Sequence, residues 1–292
     1  MEKQNMLIMQ VQEESLLLEF LYQTLNSYPK KKVKSFLTHG NILVNDVITT
    51  KYNAKLKPGM TVKLVFGKVV LDKKKKALPI LYEDNEFVVI NKPAGLLTVA
   101  TEKEKVTTAY HMVKEHVKAA NLKNNIYVVH RLDQDTSGIL LFTKNEKLKE
   151  LLQENWNDAV IKRQYFAIVE GNVKEKQGTI RNYLTENKNK LVYITKNKKE
   201  GKLAITHYQV MKVKNGYTLL NVLLDTGRKN QIRVHMKEIG TPIIGDKKYG
   251  AKTNPIKRLG LHAKELSFIH PITKKKYRFE APLPVEFKKI MR

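Results

Sequence analysis

From Arg163 onward the chain is dominated by short runs rich in β-branched and aromatic residues. RQYFAIVEG, KLVYITK, LAITHYQVMKVK, GYTLLNVLLDT and RFEAPLP follow one another. Runs of this length and composition read as strands. So many of them cannot be buried without a large sheet. Helical spacing occurs ahead of them. TTAYHMVKEHVKAANL places Ala109, Val113, Val117 and Ala120 in register. NEKLKELLQENW places Leu148, Leu151, Leu152 and Trp156 inward, with Asn145 as N-cap. No fixed-period repeat is present. The expectation is a strand-rich α+β domain of catalytic size, within a chain of 292 residues.

A smaller module precedes it. Residues 1–70 hold two helical patterns, Leu17, Phe20, Leu21 and Leu25, then Val33, Phe36 and Leu37, with Gly40 as a stop signal. NILVNDVIT reads as two short strand pieces turning at Asn45 and Asp46, and LKPGMTVKLVF as a turn into another strand. Lys30, Lys31, Lys32 and Lys34 open the second helix. Helices, short strands and a basic edge fit a small RNA-binding module, with Lys31, Lys32 and Lys34 as contacts. Residues 71–80, with a lysine run and Pro79, read as a basic linker, and residues 81–292 as the larger domain.

The charge narrows the partners. Lys and Arg total 54 against 28 Asp and Glu, a net +26. Such an excess on a folded chain points to a polyanion, and nucleic acid is the expectation. No basic amphipathic helix carries an aromatic face, so a membrane surface is disfavoured. No apolar run approaches the ~18–20 residues that span a bilayer. The acidic N-terminal stretch lacks a small-residue cleavage site, so no signal peptide is expected. With no cysteine, disulfides, thiolate nucleophiles and zinc–cysteine sites are excluded. A cytoplasmic location is the expectation.

One loop stands out against this basic background. In VVHRLDQDTSGILLFTKN, Asp133 sits beside Arg131 between two apolar runs, and Asp135 follows two positions on. Thr136 and Ser137 can bond loop backbone, and Gly138 permits a tight entry into the next strand. The residues alone leave two readings open: a well-made turn, or a carboxylate acting on something the positive charge attracts. Asp135 reads as solvated or a loop cap. His130, His235, His262 and His270 have no metal-ligand spacing, so no metal is expected. GDKKYGAKT nearly spells a phosphate-binding loop, but Ala251 displaces the lysine and no clear helix follows.

HRLDQDTSG closely resembles the signature of the RluA/RluD-type pseudouridine synthases, which isomerise uridines in ribosomal and transfer RNA. Four further segments resemble that family in order: NKPAGLLTV (Asn91 to Val99), KRQYFAIVEG (Lys162 to Gly171), LLDTGRKNQIRVHMKEIGTPIIGDKKYG (Leu223 to Gly250) and RLGLHAKELSFIHPIT. The N-terminal module resembles an S4-type RNA-binding domain. The resemblance covers nearly the whole chain. It implies a mixed, mainly antiparallel sheet flanked by helices, preceded by a small S4-like α+β domain.

The resemblance also assigns roles. Asp133 becomes the catalytic carboxylate on a flipped-out uridine, attacking C1′ or abstracting a sugar proton. Arg233 pairs with it, and a nearby guanidinium is expected to hold the carboxyl ionised by lowering its pKa. Tyr165 packs on the base, and its hydroxyl is a candidate to assist loss of the C5 proton. Arg131 and Arg228 are candidate RNA contacts. Lys229-Asn230 stands where the family often has Thr-His, which puts RNA contacts there in question. No cofactor is implied. The expected substrate is large-subunit ribosomal RNA, with transfer RNA as the alternative. A monomer with no obligate protein partner is expected. Two competitors remain: a silent RNA-binding or ribosome-assembly protein, which would be free to lose Asp133, Tyr165 or Arg233, and a glycosidase, which would want a second acid at a defined separation.

Overall fold

The computed structural model describes residues 6–45, 47–66, 78–101 and 108–292. Asp46 of the expected turn and residues 71–77 of the expected linker lie outside them. The chain divides into two compact units, Met1–Lys76 and Ala77–Arg292.

In the first unit the elements run β1 (Met6–Gln10), β2 (Ser15–Leu16), α1 (Leu17–Thr24), α2 (Lys30–Thr38), β3 (Ile42–Val44), β4 (Val47–Ile48), β5 (Lys55–Leu56) and β6 (Thr61–Val65). Four strands pair antiparallel in the order β1-β6-β3-β4, and β2 pairs with β5. Leu17, Leu21 and Leu25 recur every fourth position and meet Val33, Leu37, Ile42 and Leu64 in one core. The same period leaves Lys31, Lys32 and Lys34 exposed on α2. Gly40 ends that helix at φ 73°, a left-handed turn that favours glycine.

The second unit contains β7 (Ile80–Glu83), β8 (Phe87–Lys92), α3 (Ala109–Ala120), β9 (Tyr127–Val128), β10 (Ser137–Thr143), α4 (Glu146–Glu154), α5 (Trp156–Ala159), β11 (Val160–Glu170), β12 (Gln177–Glu186), β13 (Val192–Thr195), β14 (Lys202–Lys214), β15 (Tyr217–Leu224), α6 (Gln231–Glu238), β16 (Leu261–Ile269), β17 (Lys276–Glu280) and α7 (Val285–Ile290). Eleven strands among the described residues form one sheet in the order β13-β12-β14-β15-β11-β16-β10-β8-β7, with β17 beside β16 and β9 beside β10. All pairs are antiparallel except β10 with β16. The mixed, mainly antiparallel sheet expected from the sequence is the one found.

Side-chain alternation explains the layers. On β10, Ile139 and Leu141 face Leu148 and Leu152 of α4. Leu140 and Phe142 face Val113 and Val117 of α3 on the opposite side. Both faces are covered, so the whole strand is buried and reads as a continuous apolar run. Asn145 caps α4 as expected, its Oδ1 accepting from Leu148 N at 3.1 Å. Farther along the sheet, Ile232 and Met236 of α6 pack on Ala167, Leu220 and Val222. Two expectations differ in detail. Ala120 is exposed, because α3 ends there and Val117 is the last residue of its buried face. NIYVVH pairs as a strand only at Tyr127 and Val128; Asn125 and Ile126 precede the strand, and Val129 and His130 belong to the connection that leads into the Asp133 loop. Among the described residues, no helix is long and apolar enough to cross a membrane.

Candidate active site

The loop between β9 and β10 carries Asp133 into a small cleft. Arg131, Asp133, Thr136, Tyr165, Arg228, Asn230 and Arg233 line it. Five of the residues singled out in sequence, scattered from Arg131 to Arg233, are thus brought together. Lys31, Lys32 and Lys34 belong to the other unit, where Lys32 Nζ lies 5.3 Å from the Phe36 ring centre.

The Arg233 guanidinium is fixed from three sides. Asn230 opens α6 in the left-handed conformation at φ 53°, which asparagine tolerates better than most residues. Its Oδ1 accepts from Arg233 Nη1 at 3.0 Å, and its Nδ2 donates to the Tyr249 hydroxyl at 3.0 Å. Asp246, 2% exposed, accepts from Nε at 2.7 Å and from Nη2 at 2.8 Å. The Tyr249 ring lies 4.9 Å below the guanidinium carbon. Nη1, already donating to Asn230, also faces Asp133 Oδ2 at the longer distance of 3.8 Å. A planar fork fits this set of acceptors; a lysine would not.

The Asp133 side chain is 31% exposed, yet its carboxyl is pushed above the ordinary aspartate value. Burial is the main cause and Asp246 adds to it, while Arg233, Lys229 and Lys92 oppose. This corrects the expectation that the arginine would dominate. Its two-pronged face is taken by Asp246, and only the longer 3.8 Å contact is left for Asp133.

Tyr165 lies on β11, opposite Val222 and Ala263 in the sheet. Burial pushes its hydroxyl up to about 12, Asp133 adding and Arg163 opposing. It is therefore a neutral phenol near pH 7. Arg131 and Arg228 are exposed at the rim, and Arg228 Nε donates to the Leu203 carbonyl at 2.9 Å. Lys229 pairs with Glu186. Beneath the loop Lys92 is fully buried and donates to the carbonyls of Pro93, Leu96 and Gln134 at 3.1, 2.7 and 2.9 Å. Burial pushes its ammonium down to about 7, with Arg258 adding and Asp135 and Asp133 opposing.

Sequence reasoning missed Asp246, Tyr249, Lys92 and the role of Asn230. Asn230 is 7% exposed and turned toward Arg233, so its place in the site is as a holder of the guanidinium. Asp246 lies in the segment set aside as a near-match to a phosphate loop. A lone acid in a basic stretch was the available signal. His130, His235 and His262 are each pushed down to about 4, chiefly by burial. His130 Nε2 accepts from Leu141 N at 3.1 Å, a packing role. Among the described residues, no cluster of three His, Asp or Glu could hold a metal ion.

A family model described as RNA pseudouridylate synthase matches residues 86–238, just over half of the chain. A Bacillus subtilis protein named uncharacterized RNA pseudouridine synthase YlyB is 34% identical over 280 residues, with 94% of this chain and 92% of that protein covered. Ribosomal large subunit pseudouridine synthase C of Buchnera aphidicola subsp. Acyrthosiphon pisum is 31% identical over 290 residues, with 92% and 90% covered. Among solved structures, human RNA pseudouridylate synthase domain containing 4 superposes with a TM-score of 0.60 at 23% identity, over 72% of this chain and 90% of its own. At that identity the likeness is one of fold.

Proposed function

Given that the chain belongs to the RNA pseudouridylate synthase family and is an RNA pseudouridine synthase of the RluA/RluD type, we propose that it isomerises uridines of large-subunit ribosomal RNA with Asp133 as the essential carboxylate. The observation that carries this reading is the Asp133 carboxylate 3.8 Å from Arg233 in a cleft that Tyr165 also lines. A relative named for the ribosomal large subunit, similar along nearly the whole chain, supports the choice of RNA.

The reaction cleaves the bond between ribose C1′ and uracil N1. The base turns, C5 joins C1′, and the proton on C5 is lost while N1 gains one. Atoms are conserved and no electrons leave. The target uridine must leave its stack, at a cost of a few kcal/mol. Asp133, ionised, then acts at the sugar, by attack on C1′ or by removing a sugar proton. Arg233 orients that carboxylate and favours its charged form. Tyr165 offers a flat face to the detached base. A hydroxyl that keeps its proton to about 12 is a poor acceptor for the C5 proton, so stacking is its main role. Arg131 and Arg228 grip the phosphates on either side.

The first unit is read as an S4-like RNA-binding domain that meets RNA through Lys31, Lys32 and Lys34, and the second, Ala77–Arg292, as the catalytic domain, which begins ahead of the expected residue 81 because Ile80 already pairs with Ile90 in β7 and β8. The protein acts as a monomer in the cytoplasm.

Pseudouridine mapping of total RNA tests this, by chemical labelling and reverse-transcription stops. Cells with the gene intact, deleted, or carrying Asp133→Asn are compared. A large-subunit ribosomal site lost in both mutants is expected. A site lost from transfer RNA alone would redirect the substrate, and no lost site would remove the reading.

A further inference from the structure

Among the described residues, the Asp133 carboxylate has no polar partner nearer than Arg233 at 3.8 Å. A single long contact does not fix a side chain, so its position depends on the backbone that carries it. That backbone is held on both sides of Asp133. On the C-terminal side, the Gln134 carbonyl accepts from Gly95 N at 3.0 Å and from Lys92 Nζ at 2.9 Å, and Gln134 Nε2 donates to the Gly95 carbonyl at 3.1 Å. On the N-terminal side, one side chain does the holding. Thr98 Oγ1 donates to the Leu132 carbonyl at 2.8 Å and accepts from Leu132 N at 3.2 Å. The hydroxyl thus satisfies both backbone groups of the residue before Asp133, as a neighbouring strand would.

Thr98 is itself well anchored. It is 3% exposed, and its carbonyl accepts from Tyr110 N at 3.0 Å, at the start of α3. The neighbouring Leu97 carbonyl accepts from Ala109 N at 2.8 Å, and Leu97 bridges to Thr108, the N-cap of α3. The loop is thereby tied to a helix packed on the sheet, and so to the sheet that carries Tyr165.

We propose that Thr98 is a positioning residue for the isomerisation: its hydroxyl sets the placement of the Asp133 backbone, and hence of the carboxylate, relative to the uridine. This rests on the proposed role of Asp133. Serine keeps the donor and the acceptor. Valine keeps the shape and loses both.

The test uses the full chain and a large-subunit ribosomal RNA transcript labelled with 5-tritiated uridine, following tritium release under saturating and limiting RNA. A misplacement near 1 Å can cost on the order of a hundredfold in rate. Thr98→Val is therefore expected to lower kcat about tenfold to a hundredfold. KM should stay within about twofold, and Thr98→Ser should restore most of kcat. If Thr98→Val does not fold, Thr98→Ala replaces it, because the smaller side chain leaves room for a water that satisfies Leu132 without tying it to the Thr98 backbone, and the same loss of kcat is expected. Wild-type kcat in the valine or alanine variant would overturn the proposal. So would equal losses with valine and serine, or a loss confined to KM. Asp133→Asn is run alongside. An inactive Asp133→Asn with a fully active Thr98→Val refutes only the positioning role, whereas an active Asp133→Asn refutes the proposed function and this inference with it.

Discussion

Asp133 sits under opposing influences. Burial and Asp246 raise its carboxyl, and Arg233, Lys229 and Lys92 lower it, with the rise prevailing. Tyr165, its other ionisable neighbour, stays neutral near pH 7. If the ionised carboxylate does the work, activity depends on its being deprotonated. A raised pKa then means that, on acidification, turnover starts to fall at a higher pH than the ordinary aspartate value of about 3.9 would give. Single-turnover rates against pH are expected to show this limb. Asp246→Asn removes a charge that raises Asp133, so the limb should move to lower pH, even though the rate falls as Arg233 loses its holder. An unmoved limb would mean that Asp246 does not bear on Asp133. Asp133 drew notice in the sequence as an acid beside Arg131 in a chain of net +26, but its catalytic role was read only through resemblance. Tyr165 and Arg233 were legible through resemblance. Asp246 was not, since it lies thirteen residues beyond Arg233 and meets it only once the chain after α6 folds back, which no local pattern announces.

The strand that leaves the loop explains why the loop is held firmly. β10 and β16 run parallel only where Ser137 faces His262 and Gly138 faces Ala263. Gly138 has φ 112°, and a Cβ there would lie 2.1 Å from the Ala263 carbonyl oxygen. Backbone oxygen cannot step aside as a flexible side chain does. Gly138→Ala should therefore cost about 2–5 kcal/mol, combining strain with overpacking. It should also lower kcat, because the displaced backbone begins five residues after Asp133. Chemical denaturation and tritium release check the two parts, and a variant of wild-type stability would refute the tight approach. Elements with a strong period were readable in advance: Val33 and Leu37 of α2, and Leu148 and Leu152 of α4 with Asn145 as cap. The shortness of β9 was not readable. NIYVVH has strand composition throughout, and only the fold determines that His130 turns inward to accept from Leu141 N.

At the scale of the whole molecule, charge and buried histidines set how the protein responds to its surroundings. Affinity for RNA should fall steeply with salt, by about 0.7 log units per log unit of salt for each single-stranded phosphate contact. Replacing Lys31, Lys32 and Lys34 together by alanine should flatten that slope by about 2 if each meets one phosphate. An unchanged slope would leave the first unit out of RNA binding. Stability should respond to acid. His130, His235 and His262 are held to about 4 in the folded chain, against about 6.5 in an unfolded one. Below about 6.5 the unfolded chain binds more protons, so stability falls as pH drops from about 6.5 toward 4. Melting temperatures across that range should decline, and a flat profile would contradict the burial of these rings. Global charge was fully legible in the sequence, while the burial that depresses these histidines depends on packing across the sheet. The central claim, that Asp133 drives uridine isomerisation, is tested most directly by tritium release from 5-tritiated RNA with the purified wild-type chain and Asp133→Asn. The expected result is release by the wild type and none by the variant, with RNA affinity unchanged. Release by both at similar rates would contradict it.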